Sequence, residues 1–260
     1  MPRYSASLGF FFTDVPLVQR FALARDAGFR AVEFFWPADD DPSDIARARE
    51  AAGVDVVLFN MDEGDYAGGE RGFLGNPDRR DAWRASLMTA LDLAEAVGCP
   101  RINALTGNAL SPDRRAEQLD CIVENLAWAA PLAAERGVAL LLEPLNAATH
   151  PDYLCRRTSE ALELIDRVGM PNVALQYDVY QAQRGEGDIV ATIRATLDRI
   201  SHIQIADAPS RAAPGTGELN FPYILGEIDA SGYAGFVGLE YQPAPAPADP
   251  FSWLPFDQRG

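Results

Sequence analysis

Lysine is missing from this chain: all 22 of its basic side chains are arginines. That absence removes Schiff-base aldol chemistry, pyridoxal-phosphate chemistry and the lysine-ended phosphate loop, each of which depends on a primary amine. Histidine is almost absent, with only His150 and His202, and the cysteines Cys99, Cys121 and Cys155 stand far apart with no CxxC. Neither a disulfide framework nor a zinc cluster fits that spacing, and the cysteines read as small core residues. No apolar run approaches the roughly 18 residues that cross a bilayer. The opening MPRYSASLGFFFTDV has no apolar leader core. A cytoplasmic protein without a membrane partner is expected. Positive charge is scarce overall, and a formal net charge of -16 repels a phosphate backbone, so nucleic acid is not an expected partner. No GxGxxG follows a strand-like segment, which argues against a dinucleotide. A small molecule and a bound cation remain.

What the chain does have is a rhythm. Eight segments rich in β-branched and aromatic residues recur: RYSASLGFF from Arg3, AVEFFW from Ala31, VVLFNM from Val56, RINAL from Arg101, VALLLEPL from Val138, NVALQYDV from Asn172, HIQIAD from His202 and FVGLEY from Phe236. Between them the apolar period lengthens to that of a helix; in DAWRASLMTALDLAEAVG, Trp83, Leu87, Leu91, Ala94 and Val97 share one face. Asn76 before Pro77 and Ser111 before Pro112 predict capped helix starts, while Gly28, Gly53, Gly98, Gly137 and Gly169 predict ends. Pro131 predicts a kinked or split helix. Eight strand-helix alternations predict an α/β chain, a single (β/α)8 TIM barrel over residues 1–260. Two segments break the rhythm. Gly-rich MDEGDYAGGERGFLGNP from Met61 is expected to be a lid. A proline-rich strap, residues 242–260, carries Phe251, Trp253, Leu254 and Phe256. It either packs on the barrel or contacts another copy in a homo-oligomer.

Chemistry enters at ALLLEPLN, where a strand fit only for burial runs straight into Glu143. A buried carboxylate needs compensation. Active sites of such barrels form at the C-terminal strand ends, and the next three strands bring Asp178, Gln204 and Glu240 to the same place, about one βα unit apart. Three like charges meeting in a dry mouth call for a cation. An oxygen-only donor set predicts a hard divalent ion, Mg²⁺ or Mn²⁺, over zinc.

The runs LLLEPLN, ALQYDVYQAQRGEGD, HIQIADAPSRAAPGTGELN and GLEY, with GDYAGGERG nearer the start, resemble the hydroxypyruvate isomerase family of xylose-isomerase-like barrels, over nearly the full chain. The resemblance implies a metal held by Glu143, Asp178, Gln204 and Glu240, with Glu143 and Glu240 as the acid and base pair. It also implies interconversion of hydroxypyruvate and tartronate semialdehyde through an enediolate. Two departures touch the substrate: the family would have histidine where this chain has Gln181 and Phe59. Isomerisation of a four-carbon 2-oxo acid sugar and C3 epimerisation of a ketose stand as alternatives on the same barrel, and a non-catalytic metabolite binder as one of another class. Metal-dependent abasic-site endonucleases share the barrel type, but their sites are histidine-rich.

A 2-oxo acid substrate needs a cation for its carboxylate. Arg71 on the lid is the candidate, because a guanidinium matches a carboxylate in shape; Arg184, after the sixth strand, is the rival. Asn60 and Gln181 are further substrate-binding candidates near the mouth, and Phe10, Trp36 and Tyr66 could wall it. His202 lies two residues before Gln204 and so on the same strand face. It is either a hydrogen-bonded core histidine or a group that orients a ligand or touches substrate. His150, in a loop, is expected at the surface.

Overall fold

A computed structural model describes residues 2–243, 245 and 249–260. Eight parallel strands close into a barrel in sequence order: β1 (Arg3–Ser7), β2 (Ala31–Phe34), β3 (Asp55–Asn60), β4 (Arg101–Asn103), β5 (Ala139–Leu142), β6 (Val173–Asp178), β7 (Ile200–Ile205) and β8 (Phe236–Leu239). Helices cover it: α1 (Leu17–Asp26), α2 (Pro42–Ala52), α3 (Arg80–Val97), α4 (Arg115–Glu135), α5 (Thr158–Val168), α6 (Val179–Gly185), α7 (Ile189–Thr196) and α8 (Phe221–Ala230). The strands are short and buried on both faces, which is why they read as apolar runs and not as alternating patterns. In α3, the face expected from its period (Trp83, Leu87, Leu91, Ala94, Val97) is the buried one.

Local signals acted unevenly. The Asn76 side chain accepts from the Asp78 amide and starts the turn that leads into α3. Ser111 makes no such bond; the turn after it is entered without a side-chain cap. Pro131 does not split α4, which continues to Glu135. The missing N–H of Pro131 removes one bond from the ladder, and the helix runs one further turn beyond it. Gly53, Gly98 and Gly169 take the left-handed C-cap conformation. Between β6 and β7 the connection is two short helices, broken at Glu186–Asp188.

Of the strap, Ala244 and Ala246–Ala248 lie outside the described residues. Beyond them, Phe251 and Leu254 are buried. Phe251 packs 4.6 Å from Phe11 and 4.8 Å from Phe29, between ring centroids, and Trp253 donates to the Tyr241 hydroxyl. Phe256 is 62% exposed.

Candidate active site

β6 ends on Asp178, and β5 and β8 each stop one residue short of a glutamate, Glu143 and Glu240. Because all strands run the same way, the three side chains emerge at one end of the barrel. One oxygen of each lies within 4.8 Å of the others. The residues are 5%, 2% and 6% exposed, in the order Glu143, Asp178, Glu240. Burial, which disfavours charge, is the main reason all three carboxyls hold their protons above the usual range. Glu143 is pushed well up, with Glu240 and Asp178 adding repulsion. Glu240 is raised to about 8. Asp178 is raised as well, but the Arg211 charge and the Tyr180 and Gln181 amides oppose the shift.

Arg211, in the loop after β7, spans this cluster. Its guanidinium pairs with Glu240 and reaches Asp178 at 3.5 Å, while lying 5.0 Å from the Phe10 ring and 5.2 Å from the Tyr180 ring. Its backbone sits at φ 56, a conformation that costs a side-chain-bearing residue about 1 kcal/mol or more. Sequence reasoning missed this residue. The only available signal was an arginine in a Pro- and Gly-rich loop (APSRAAPGTG) on the strand-end face.

Amides hold the first glutamate from the other half of the barrel. Asn103, at the end of β4, donates to Glu143 at 2.7 Å and to the Asn60 oxygen at 3.1 Å; Asn60 donates in turn to Glu63 at 2.7 Å. Glu63 belongs to the expected lid segment, and burial raises its carboxyl. A continuous hydrogen-bonded chain thus joins the long loop to Glu143. The cleft above is lined by Phe10, Tyr66, Arg71, His150, Gln181 and Arg211, together with Asn60, Glu63, Glu143 and Glu240.

Arg71 is therefore at the mouth. Its guanidinium stacks 3.8 Å from the Tyr66 ring and donates to the Tyr66 and Glu70 carbonyls, and its buried Nε has no partner. Gln181 also lines the cleft. Its oxygen accepts from the Asn146 backbone and side chain, and a backbone N–H can only donate, so the buried Nε2 is the end left without a partner.

Other candidates sit elsewhere. Arg184 lies in a separate groove with Arg156, Arg157 and Glu160 and does not line the cleft, because the last turn of α6 carries it to the surface. Trp36 lines a neighbouring groove. Phe59 is fully buried and stacks 5.6 Å from Phe34, behind the site. His150, expected at the surface, lines the cleft, and burial, helped by the Arg211 and Arg71 charges, pulls its pKa down to about 4. His202 is fully buried and its Nε2 meets Glu33 at 2.8 Å, so it does not face the cleft. Gln204 is the register partner of Asp178; its Nε2 donates to Glu33 at 2.7 Å and its oxygen accepts from Gln176 at 2.6 Å.

Three mutually repelling carboxyls, their charge opposed by one guanidinium, form a group that could hold a metal ion. The carboxylate oxygens of this trio are donors that fit a hard ion. A sequence model described as Xylose isomerase-like TIM barrel matches residues 21–255. The chain belongs to that family. Among its relatives, the 2-oxo-tetronate isomerase of Cupriavidus necator and the hydroxypyruvate isomerase of Escherichia coli K12 are each 37% identical over 98% of both chains. A crystal structure described as AP endonuclease, family 2, from Brucella melitensis is 40% identical, covers 97% of this chain and 98% of its own, and superposes with a TM-score of 0.94. Within the xylose isomerase-like family, this chain thus stands beside small sugar-acid isomerases along its whole length.

Proposed function

We propose that the chain is a metal-dependent isomerase of a short 2-oxo acid, interconverting hydroxypyruvate and tartronate semialdehyde. The observation that carries this reading is the buried trio Glu143, Asp178 and Glu240, gathered within 4.8 Å beneath a cleft rimmed by Arg71 and Arg211. Glu143, Asp178, Gln204 and Glu240 would hold Mg²⁺ or Mn²⁺, which when bound offsets negative charge developing on the substrate oxygens. The chain itself supplies the proton traffic. Glu143 and Glu240 already bind protons more tightly than ordinary carboxyls. That suits one to take a proton from a carbon while the other returns one to its neighbour.

Binding falls to the rim. Arg71 and Arg211 present guanidiniums to a carboxylate. Arg211 pairs with Glu240 and reaches Asp178, and with an ion held by those carboxyls its guanidinium would be left to face a substrate carboxylate. The unpartnered Nε2 of Gln181, a residue that lines the cleft, is a donor for a substrate oxygen, and Asn60, already engaged with Asn103 and Glu63, sets the floor beside Glu143. His202 acts from below and not by contact.

A second reading has support of its own: a relative of equal identity is a 2-oxo-tetronate isomerase. Comparing kcat/KM for hydroxypyruvate, a four-carbon 2-oxo acid sugar and a free ketose decides between them. The three-carbon acid is expected to turn over best. A preference for the four-carbon acid moves the assignment to it, and turnover of the ketose alone overturns the 2-oxo acid reading. Cleavage of an abasic duplex at physiological salt would overturn it too.

A further inference from the structure

Beneath the carboxylate trio lies a second buried acid that sequence reasoning passed over. Glu33, on β2, is 1% exposed and accepts three hydrogen bonds from two other strands: Ser5 Oγ at 3.0 Å from β1, and His202 Nε2 at 2.8 Å and Gln204 Nε2 at 2.7 Å from β7. Space for it is reserved on β8. A Cβ at Gly238 would come within 2.4 Å of one Glu33 oxygen and 2.6 Å of the other, so only glycine leaves the carboxylate where it is.

The consequence concerns Gln204. A glutamine amide has two ends of nearly equal shape, and its partners decide which way round it sits. The side that faces Glu33 meets an acceptor. Turning the Gln204 oxygen there would set two acceptors against each other in a dry interior, a costly exchange. The NH₂ group is thereby committed downward, and the oxygen faces Gln176 Nε2 with one lone pair left over. A hard cation takes that oxygen and gains nothing from an NH₂ group.

We propose that Glu33 is a positioning residue that locks the Gln204 amide with its oxygen presented to the metal, and that His202 and Gly238 hold Glu33 in place for that task. The proposal rests on the metal reading above. Its test is the affinity of the full chain for Mn²⁺, measured by calorimetry. Glu33→Gln can face Gln204 with either end of its own amide and so removes the lock; Mn²⁺ binding is expected to weaken by about tenfold or more. Ser5→Ala takes a hydrogen bond from the same carboxylate but leaves the bond to Gln204, and its affinity is expected to stay within about twofold of the parent. If Glu33→Gln does not fold, Glu33→Asp, which keeps the charge but retracts the carboxylate by one methylene, is expected to weaken Mn²⁺ binding in the same direction. Unchanged affinity in the folded Glu33 variant overturns the proposal, as does an equal loss in Ser5→Ala, which would mean general loosening. A parent protein that binds no Mn²⁺ overturns the metal reading itself, a result distinct from either.

Discussion

The two halves of the barrel do different things at the same mouth. Strands β5, β6 and β8 deliver the carboxylates, three acids that repel one another and resist ionisation. Strands β2, β3 and β4 deliver no member of that trio; their Glu33, Asn60 and Asn103 grip Gln204, the lid segment and Glu143. One half carries the reactive and costly groups, and the other spends its polar residues on fixing where they point. A site so divided ought to respond differently to damage on its two sides.

The sharpest break should come in the carboxylate half. Glu240→Gln and Glu143→Gln each keep the shape but remove a proton carrier, and kcat on hydroxypyruvate is expected to fall by about 10²- to 10⁴-fold. A loss below about tenfold in both variants would take the pair out of the proton transfer. Next in size is Arg211→Met. Removing one partner of a buried ion pair leaves Asp178 and Glu240 uncompensated, at a cost of about 3 kcal/mol or more where the carboxyls are ionised. Urea unfolding of the metal-free variant at pH values above the Glu240 value of about 8 should show that loss, and added Mn²⁺ should recover part of it. Stability unchanged in that alkaline range would mean that the guanidinium is not the counter-charge.

A third effect follows from proton linkage. The Glu240 carboxyl stands at about 8 in the fold against an ordinary 4.5. Between those values the folded chain holds a proton that the unfolded chain has released. Without metal, this group's contribution to stability is therefore full below about pH 4.5 and is lost as the pH rises through about 8. A metal must displace the same proton, so Mn²⁺ affinity should climb between pH 6 and pH 8, by up to about tenfold per unit for each proton released. A flat profile would contradict protonated carboxyls in the metal-free site. The smallest effect is expected outside the cleft: Arg184→Ala should leave kcat/KM unchanged and shift stability by no more than about 0.5 kcal/mol. A large rise in KM there would return Arg184 to substrate binding.

The same division explains what could be read from the chain and what could not. The eight-stranded barrel was legible because each strand is a short apolar run set between helices of clear period. Glu143, Asp178 and Glu240 were legible as strand-end residues because a charge closing such a run needs a reason; Gln204 stands one residue inside the end of β7, with its amide on Glu33 and Gln176. Glu33 sits in AVEFFW in the same way, yet it precedes three aromatics and looks like the interior of a strand; its partners come from β1 and β7, a pairing visible only once the barrel closes. Arg211 and His150 lie in loops, and nothing in a linear pattern says whether a loop side chain turns inward. Arg184 failed for the converse reason. It follows the sixth strand at a plausible distance, but α6 carries it away from the mouth.

The central claim is that the acidic trio works by holding a divalent ion, and one assay tests it directly. The protein is stripped with a chelator, its turnover of hydroxypyruvate is measured, and Mg²⁺ or Mn²⁺ is then added back. Loss of turnover on stripping and recovery with the added ion is the predicted result. Full turnover in protein shown to be free of divalent ions would contradict the account.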